Sequence, residues 1–210
     1  MRVLIAAVIS AMALGGAAQA DPVDGKAAKK MLFSPRGADL QVIEDSGLDE
    51  TQRAIVKAIL AQTRAQGLAN YYGAVAVSPD FFTRMVVDAD QAALSGLLQV
   101  TERLHSPETA ANVALASCEA ARESGDAACV LAARILPKRW SEQPLMMSVS
   151  ATAAFKAYRK GREEKAFAIS TNTVAYAAAR GTGAAATALD ACNKGAAKTG
   201  EPDCEVVIAD

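Results

Sequence analysis

The sequence predicts an α+β protein built from two related α-β-β-α-β units, each with an antiparallel sheet and helices packed on it. The segment ALASCEAARESGDAACVLAA at 114–133 returns as ALDACNKGAAKTGEPDCEVVIA at 188–209, and GAVAVS at 73–78 returns as KAFAIS at 165–170. Such self-similarity indicates a duplicated supersecondary unit. The predicted divisions are a signal peptide (1–20), an N-terminal segment (21–48), a first unit (49–137) with an insertion (79–96), a connection (138–149) and a second unit (150–210).

Residues 1–20 have the features of a secretory signal peptide. Arg2 precedes an apolar run from Val3 to Ala13, and small residues end the segment at Ala18-Gln19-Ala20. Signal peptidase accepts this A-x-A pattern, so cleavage is expected between Ala20 and Asp21. The apolar run is shorter than the roughly 20 residues of a spanning helix, and no later run approaches that length. We therefore expect a periplasmic or secreted chain without a membrane span.

The overall composition is that of a globular protein with no basic surface. Hydrophobic residues make up 51% of the chain and charged residues 21%, the formal net charge is -1 and the pI is about 5.9. Proteins that bind nucleic acid usually carry a clustered excess of lysine and arginine. Nucleic-acid binding is therefore not expected.

Helix-capping residues and the alternation of bulky with small side chains predict the helices and strands of the first unit in order. Asp49 and Gln52 resemble a capping box at the start of a helix that runs to about Gln66. GAVAVS alternates bulky and small residues, as a half-buried strand does, and a second strand follows near residue 99. Ser106-Pro107 then provides an N-cap and a first-turn proline for the central helix. The run CVLAARIL is the third strand.

The second unit repeats this order. The predicted elements are a helix from Ser150 to Arg159, strands in KAFAIS and near residue 173, a helix capped by Thr182 and ended by Gly195, and a strand in CEVVIA.

A tight hairpin and a helical crossover predict the strand order 2-1-3 in each unit, fully antiparallel, with the central helix on one face. The alanine faces of the first strands, with Ala74, Ala76, Ala166 and Ala168, are too apolar to contact water. We expect the unit-opening helices, or the sheet of the other unit, to cover them. The two units are therefore predicted to pack on each other.

Four cysteines, Cys118, Cys129, Cys192 and Cys204, allow three connectivities. In an oxidising compartment an even number of cysteines indicates disulfides. Each unit carries its own pair at matching places, which predicts that Cys118 bonds to Cys129 and Cys192 to Cys204. A disulfide that closes a loop of this size stabilises the fold by on the order of 3 kcal/mol by the chain-entropy estimate.

The pattern GAVAVS, an alanine-rich helix ending A-L-x-x-C, and C-x-V-V-I-A resembles a small exported bacterial domain of unknown function that occurs singly and in tandem. The resemblance covers 72–137, apart from the insertion, and 165–210. The whole chain is also similar to short exported proteins labelled 5-aminolevulinate synthase. That activity requires pyridoxal phosphate on a lysine in a large cytoplasmic fold. Nothing in this sequence corresponds to that fold.

His105 is the only histidine, which excludes zinc sites with several histidines. It precedes the N-cap Ser106 and is expected at an exposed strand end, where its replacement would change stability by no more than about 0.5 kcal/mol. The competing hypothesis is a small envelope hydrolase in which His105 acts with Glu102 or Glu108.

Three other groups of residues have some features of a binding site. Asp80, Asp88 and Asp90 lack the glycine and distal glutamate of a calcium loop, which favours a solvated turn. The turn 180–183 is a lone G-x-G before a helix, which favours a plain connection over a phosphate site. Phe81-Phe82 is a candidate contact patch.

Tyr72 and Trp140 are expected to cover the core at the edges of the units. No residue is assigned as catalytic, cofactor-binding or metal-binding. The sequence therefore favours a noncatalytic interaction or structural module of the cell envelope, with an unknown partner and no cofactor.

Overall fold

The computed structural model describes residues 21–67 and 70–210, so the predicted signal peptide lies outside the described residues. The N-terminal segment forms α1 (Gly25–Met31) and β1 (Ala38–Val42). The next elements are α2 (Glu50–Ala65), β2 (Gly73–Val77), α3 (Asp80–Val87), α4 (Ala89–Leu94), β3 (Leu98–Thr101), α5 (Pro107–Ala121) and β4 (Val130–Pro137). The last elements are α6 (Val149–Tyr158), β5 (Lys165–Ser170), β6 (Tyr176–Arg180), α7 (Ala184–Ala196) and β7 (Cys204–Ala209).

The strands form two separate antiparallel sheets, so the predicted α+β class is confirmed. The first sheet has the order β1-β4-β2-β3 and the second has the order β6-β5-β7. Apart from β1, each sheet has the predicted order 2-1-3, in which the first strand of the unit lies in the middle. These middle strands are β2 in the first sheet and β5 in the second. Both central strands pair with the third strand through a register shift, after Val75 in β2 and after Phe167 in β5.

The N-terminal segment contributes to both sheets, which the sequence did not indicate. β1 pairs with β4 from Ala38↔Pro137 to Val42↔Ala133 and forms an edge of the first sheet. Val23 makes a parallel bridge to Ile208 in β7, with hydrogen bonds of 3.1 and 3.0 Å. The segment therefore ties the two halves of the molecule together near the predicted mature N-terminus.

In the first half, the bulky face of β2 packs under α2 and the insertion. Val75 and Val77 share a core with Val56 and Leu60 of α2. On the opposite face, Ala74 and Ala76 pack against alanines of α5 together with Cys118.

The second half has the same arrangement of faces. Phe167 and Ile169 of β5 pack against α6 through Phe155 and Tyr158. Ala166 and Ala168 pack against α7, where they meet Ala184, Ala188 and Cys192.

The predicted cover of the alanine faces is therefore wrong. The central helices α5 and α7 cover these faces, and the unit-opening helices α2 and α6 cover the bulky faces. Alanine on both the helix and the strand permits a close approach of the two backbones, which suits the short crossover between hairpin and third strand.

The capping signals locate most helix starts. Asp49 accepts from the backbone N–H of Gln52 in a full capping box, and Ser106 accepts from the N–H of Thr109 with Pro107 at the first turn. The prediction for α7 is wrong by one residue, because Gly183 is the N-cap in place of Thr182. Gly183 has φ 76°, a left-handed conformation that glycine adopts without steric cost.

Hydrogen bonds join the two halves directly. His105 at the end of the first hairpin contacts Ala175 at 3.0 Å, and the Thr109 hydroxyl donates to the Thr171 carbonyl at 2.9 Å. Both acceptors lie in the turn between β5 and β6. The two halves are therefore packed on each other.

Candidate functional site

The cysteines join a helix to a strand in each half. Cys118 of α5 is bonded to Cys129, immediately before β4, and Cys192 of α7 is bonded to Cys204, the first residue of β7. The Cα–Cα distances are 6.1 and 6.0 Å. These are the local pairs predicted from the duplication. None of the cysteines in the described part of the chain is free, so none of them offers a thiol nucleophile.

His105 is buried between the halves, so its predicted exposure is wrong. Its side chain is held by two backbone groups: the N–H of Ser148 donates to Nδ1 at 3.1 Å, and Nε2 lies 3.0 Å from the Ala175 carbonyl oxygen. This pattern requires the neutral tautomer with the proton on Nε2. Burial lowers the pKa of His105 to about 4, against the opposing effect of its backbone hydrogen bonds.

The carboxylates proposed for the hydrolase hypothesis have other environments. Glu102 accepts from the side-chain amide of Asn70 at 2.8 Å and pairs with Arg103 at 3.2 Å. Glu108 is exposed in the first turn of α5. Because both nitrogens of His105 already bond to the backbone, the imidazole is occupied as a structural link between the halves.

A small cleft of about 240 Å³ lies beside His105, where the two halves of the molecule meet. Its polar wall is the turn after β5, where the Asp203 carboxylate accepts from Ser170 Oγ and Thr171 Oγ1, both at 2.6 Å. Although burial raises the pKa of Asp203, hydrogen bonds from Ser170, Thr171 and Asn172 bring that pKa below its usual value. The carboxylate therefore organises this turn.

The insertion forms a helical pair with one buried and one exposed face. Phe81 and Phe82 are buried, with ring centroids 5.4 Å apart, in the core over the first sheet. The predicted contact patch at Phe81-Phe82 is therefore wrong. The opposite side of the pair carries Val86, Val87 and Leu94, which are 85%, 84% and 81% exposed.

Val87 and Leu94 line a groove of about 690 Å³ between α3, α4 and the turn after α5. We call Val86 together with the residues that line this groove the insertion surface. The lining residues are Thr83, Arg84, Val87, Asp88, Gln91, Leu94, Ser95 and Glu123.

The groove has two aliphatic side chains in its walls, Val87 and Leu94, and a mainly acidic rim. Arg84 is neutralised by Asp126 at 2.6 Å and lies 3.6 Å from Glu123. The hydrogen bond from the Glu123 backbone N–H is the main cause that holds the pKa of Asp126 below its usual range, burial opposes it, and the Arg84 guanidinium lowers the pKa further. Asp88 and Asp90 lie at the start of α4, where both are exposed.

Asp80 and Asp88 have separate structural roles. Asp88 caps α4 by accepting from the backbone N–H groups of Asp90 and Gln91 at 3.0 Å. Asp80 accepts from the Ala127 N–H at 2.6 Å, which fastens α3 to the loop before β4. Within residues 21–67 and 70–210, no group of three or more histidine, cysteine or acidic side chains is placed to hold a metal.

Lys165, the first residue of β5, carries a buried charge. Its Nζ lies 3.2 Å from the Asp210 carboxylate and 5.1 Å from the centre of the Tyr158 ring. The other Asp210 oxygen accepts from the Gly25 N–H at 2.7 Å. The Asp210 carboxylate therefore links Lys165 of β5 to Gly25, the first residue of α1.

The turn at 180–183 connects β6 to α7, and Arg180 pairs with Glu163 at 3.1 Å. Tyr72 is fully buried, and Trp140 packs against the same core.

Of the helices in the described ranges, none has the length and apolarity needed to cross a bilayer. The chain matches no protein-family model, no curated protein and no solved structure.

Proposed function

We propose that this protein is an exported, noncatalytic interaction module of the cell envelope and that the insertion surface binds its partner. The observation that carries the proposal is the exposure of Val86, Val87 and Leu94, each above 80%, on one helical pair. Single exposed aliphatic side chains are common, whereas clustered ones with a polar rim are typical of interaction sites.

The rest of the molecule supports a binding role better than a chemical one. His105 has both ring nitrogens engaged by backbone groups, and the cysteines form disulfides. The insertion belongs to the first half only, while the two halves otherwise share the order α-β-β-α-β. Connections between elements tolerate insertions, and binding residues are often carried there on a rigid scaffold.

Export is supported by one prediction from the sequence and by one feature of the structure. The predicted signal peptide ends at Ala20, and the disulfides stabilise halves that are each small for an independent domain. Disulfides of this structural kind persist in oxidising compartments. We therefore propose that the mature chain begins at Asp21 in the periplasm or outside the cell.

The proposal is tested by capture from envelope extract with matched baits. The baits are the mature chain, a variant carrying Val87→Ser and Leu94→Ser, and a control carrying Val174→Ser. Val174 is 47% exposed on the second half and serves as an aliphatic side chain away from the insertion. We expect a partner that the mature chain and the control retain and the double variant loses. Equal retention by all three baits would contradict the proposal.

A further inference from the structure

We infer that the partner segment bound by the insertion surface is an amphipathic helix whose apolar face is flanked by lysine or arginine. This inference rests on the proposed function and adds the chemistry of the partner. It depends on the shape of the groove and on the balance of charge around it.

The groove fits a helix better than the other common forms of bound peptide. Strand addition requires a sheet edge, but the insertion surface is formed by side chains of α3, α4, the residues that flank them and the turn after α5. Grooves for polyproline segments are lined by aromatic rings, and none of the lining residues is aromatic. A groove between helices with aliphatic walls, here Val87 and Leu94, accepts apolar side chains at helical spacing.

The rim favours a cationic partner. Arg84 is the basic residue that lines the groove, and its guanidinium is already paired with Asp126 at 2.6 Å. Three further carboxylates, of Asp88, Asp90 and Glu123, are exposed at or beside the groove, so negative charge is in excess. Complementary charge accelerates association and excludes partners with a like charge.

The same charge balance disfavours two other occupants. A second copy related by a two-fold axis would bring two acidic rims together. An anionic membrane surface would be repelled by the rim as well. The groove is therefore suited to a different polypeptide, one with basic residues on both sides of an apolar stripe.

The test uses the mature chain and two synthetic helices of about five turns. Both have leucine at the spacing i, i+3, i+4 and i+7, with lysine at the polar positions in one and glutamate in the other. Binding is measured by fluorescence anisotropy, and analytical ultracentrifugation gives the oligomeric state. The variants are Val87→Ser with Leu94→Ser, Asp90→Asn with Glu123→Gln, and the control Val174→Ser.

We expect the lysine helix to bind at least about tenfold more tightly than the glutamate helix. The Val87→Ser and Leu94→Ser variant should weaken binding by about tenfold or more, because it removes buried apolar contacts. The Asp90→Asn and Glu123→Gln variant should weaken it by about threefold and reduce its salt dependence. The control should bind as the unchanged chain does.

Equal binding of the two helices, or binding insensitive to both groove variants, would overturn the inference. Self-association lost in the Val87→Ser and Leu94→Ser variant would also overturn it and assign the groove to a second copy. If capture from envelope extract depends on Val87 and Leu94 while the two helices bind equally, the proposed function stands and the inferred partner chemistry fails.

Discussion

At the scale of single residues, His105 shows how a side chain that looks like a catalytic candidate can have a structural role. Its ring is 3% exposed and connects the first hairpin to Ser148 and Ala175. Those partners lie 43 and 70 positions along the chain, so no local pattern indicates them. The position of His105 before the N-cap was predicted correctly, but its exposure depends on the packing of the second half and could not be predicted.

Replacing His105 with alanine should destabilise the fold by about 2–3 kcal/mol, because the Ser148 N–H loses its acceptor in a buried site. This value replaces the small effect expected for an exposed residue. Urea unfolding followed by circular dichroism measures the change, and Glu108→Ala, at an exposed position, is the control. A loss below about 0.5 kcal/mol would contradict the buried placement.

His105 should also make stability depend on pH. Its pKa falls from 6.5 to about 4 on folding, so the unfolded chain binds a proton in this window while the folded chain does not. The contribution of the neutral ring is complete above pH 6.5 and is lost as the pH falls towards 4. The upper limit of this loss is about 3 kcal/mol.

The difference in unfolding free energy between the unchanged chain and His105→Ala, measured from pH 7.5 to 4, isolates this contribution. We expect the advantage of the unchanged chain to shrink steadily below pH 6.5. A constant difference across this range would show that the ring titrates normally in the folded protein.

At the scale of elements, alternation and capping signals predicted most of the architecture. The alternation in GAVAVS and KAFAIS correctly divided bulky and small residues between the two sheet faces. It could not indicate which helix covers which face, because both faces are apolar. β1 was missed because its side chains are only partly buried and its pairing with β4 joins positions far apart in the chain.

The disulfides should each stabilise the fold by about 2–4 kcal/mol. Replacing Cys192 and Cys204 together with serine is the variant of choice, because it removes one bond without leaving a free thiol. Thermal unfolding under non-reducing conditions measures the loss. Peptide mapping of the unchanged chain should give fragments that join 118 to 129 and 192 to 204. A fragment joining Cys118 to Cys192 would contradict the local pairing.

The two faces of the insertion should respond differently to substitution. Phe82→Ala should cost about 3–5 kcal/mol, because it leaves a cavity in the core over the first sheet. Val86→Ser, at a side chain that is 85% exposed, should change stability by less than about 0.5 kcal/mol. Chemical denaturation of both variants tests the orientation of α3. Similar losses for the two variants would show that this orientation is wrong.

At the scale of the whole molecule, the N-terminal segment joins the two halves, and Asp210 helps to fasten that segment to the second half. Val23 bridges to β7 in the second sheet while β1 extends the first sheet. Asp210 bonds to both Lys165 and Gly25. The insertion surface is therefore presented by a scaffold whose two halves are joined through Val23 and β1.

The candidate site could be predicted only in part. As with the choice of helix that covers each sheet face, the apolar pattern alone does not indicate which side chains are buried. Comparison of the two units identifies the insertion in the sequence. The enrichment of aromatic residues at protein interfaces then favoured Phe81-Phe82 as the contact patch. Large aromatic side chains are also the strongest core formers, and here the sheet face beneath α3 buries them. The aliphatic residues that remain exposed, Val86, Val87 and Leu94, could be identified only from the packing of the helical pair.

Site-specific photocrosslinking in living cells tests the central claim most directly. A photoreactive amino acid replaces Val87, Leu94 or, as the control, Val174, all of which are exposed. We expect ultraviolet light to join a partner protein to the chain from positions 87 and 94 and not from position 174. Adducts from position 174 alone, or none from positions 87 and 94 in cells that export the chain at normal abundance, would contradict the claim that the insertion surface binds a partner.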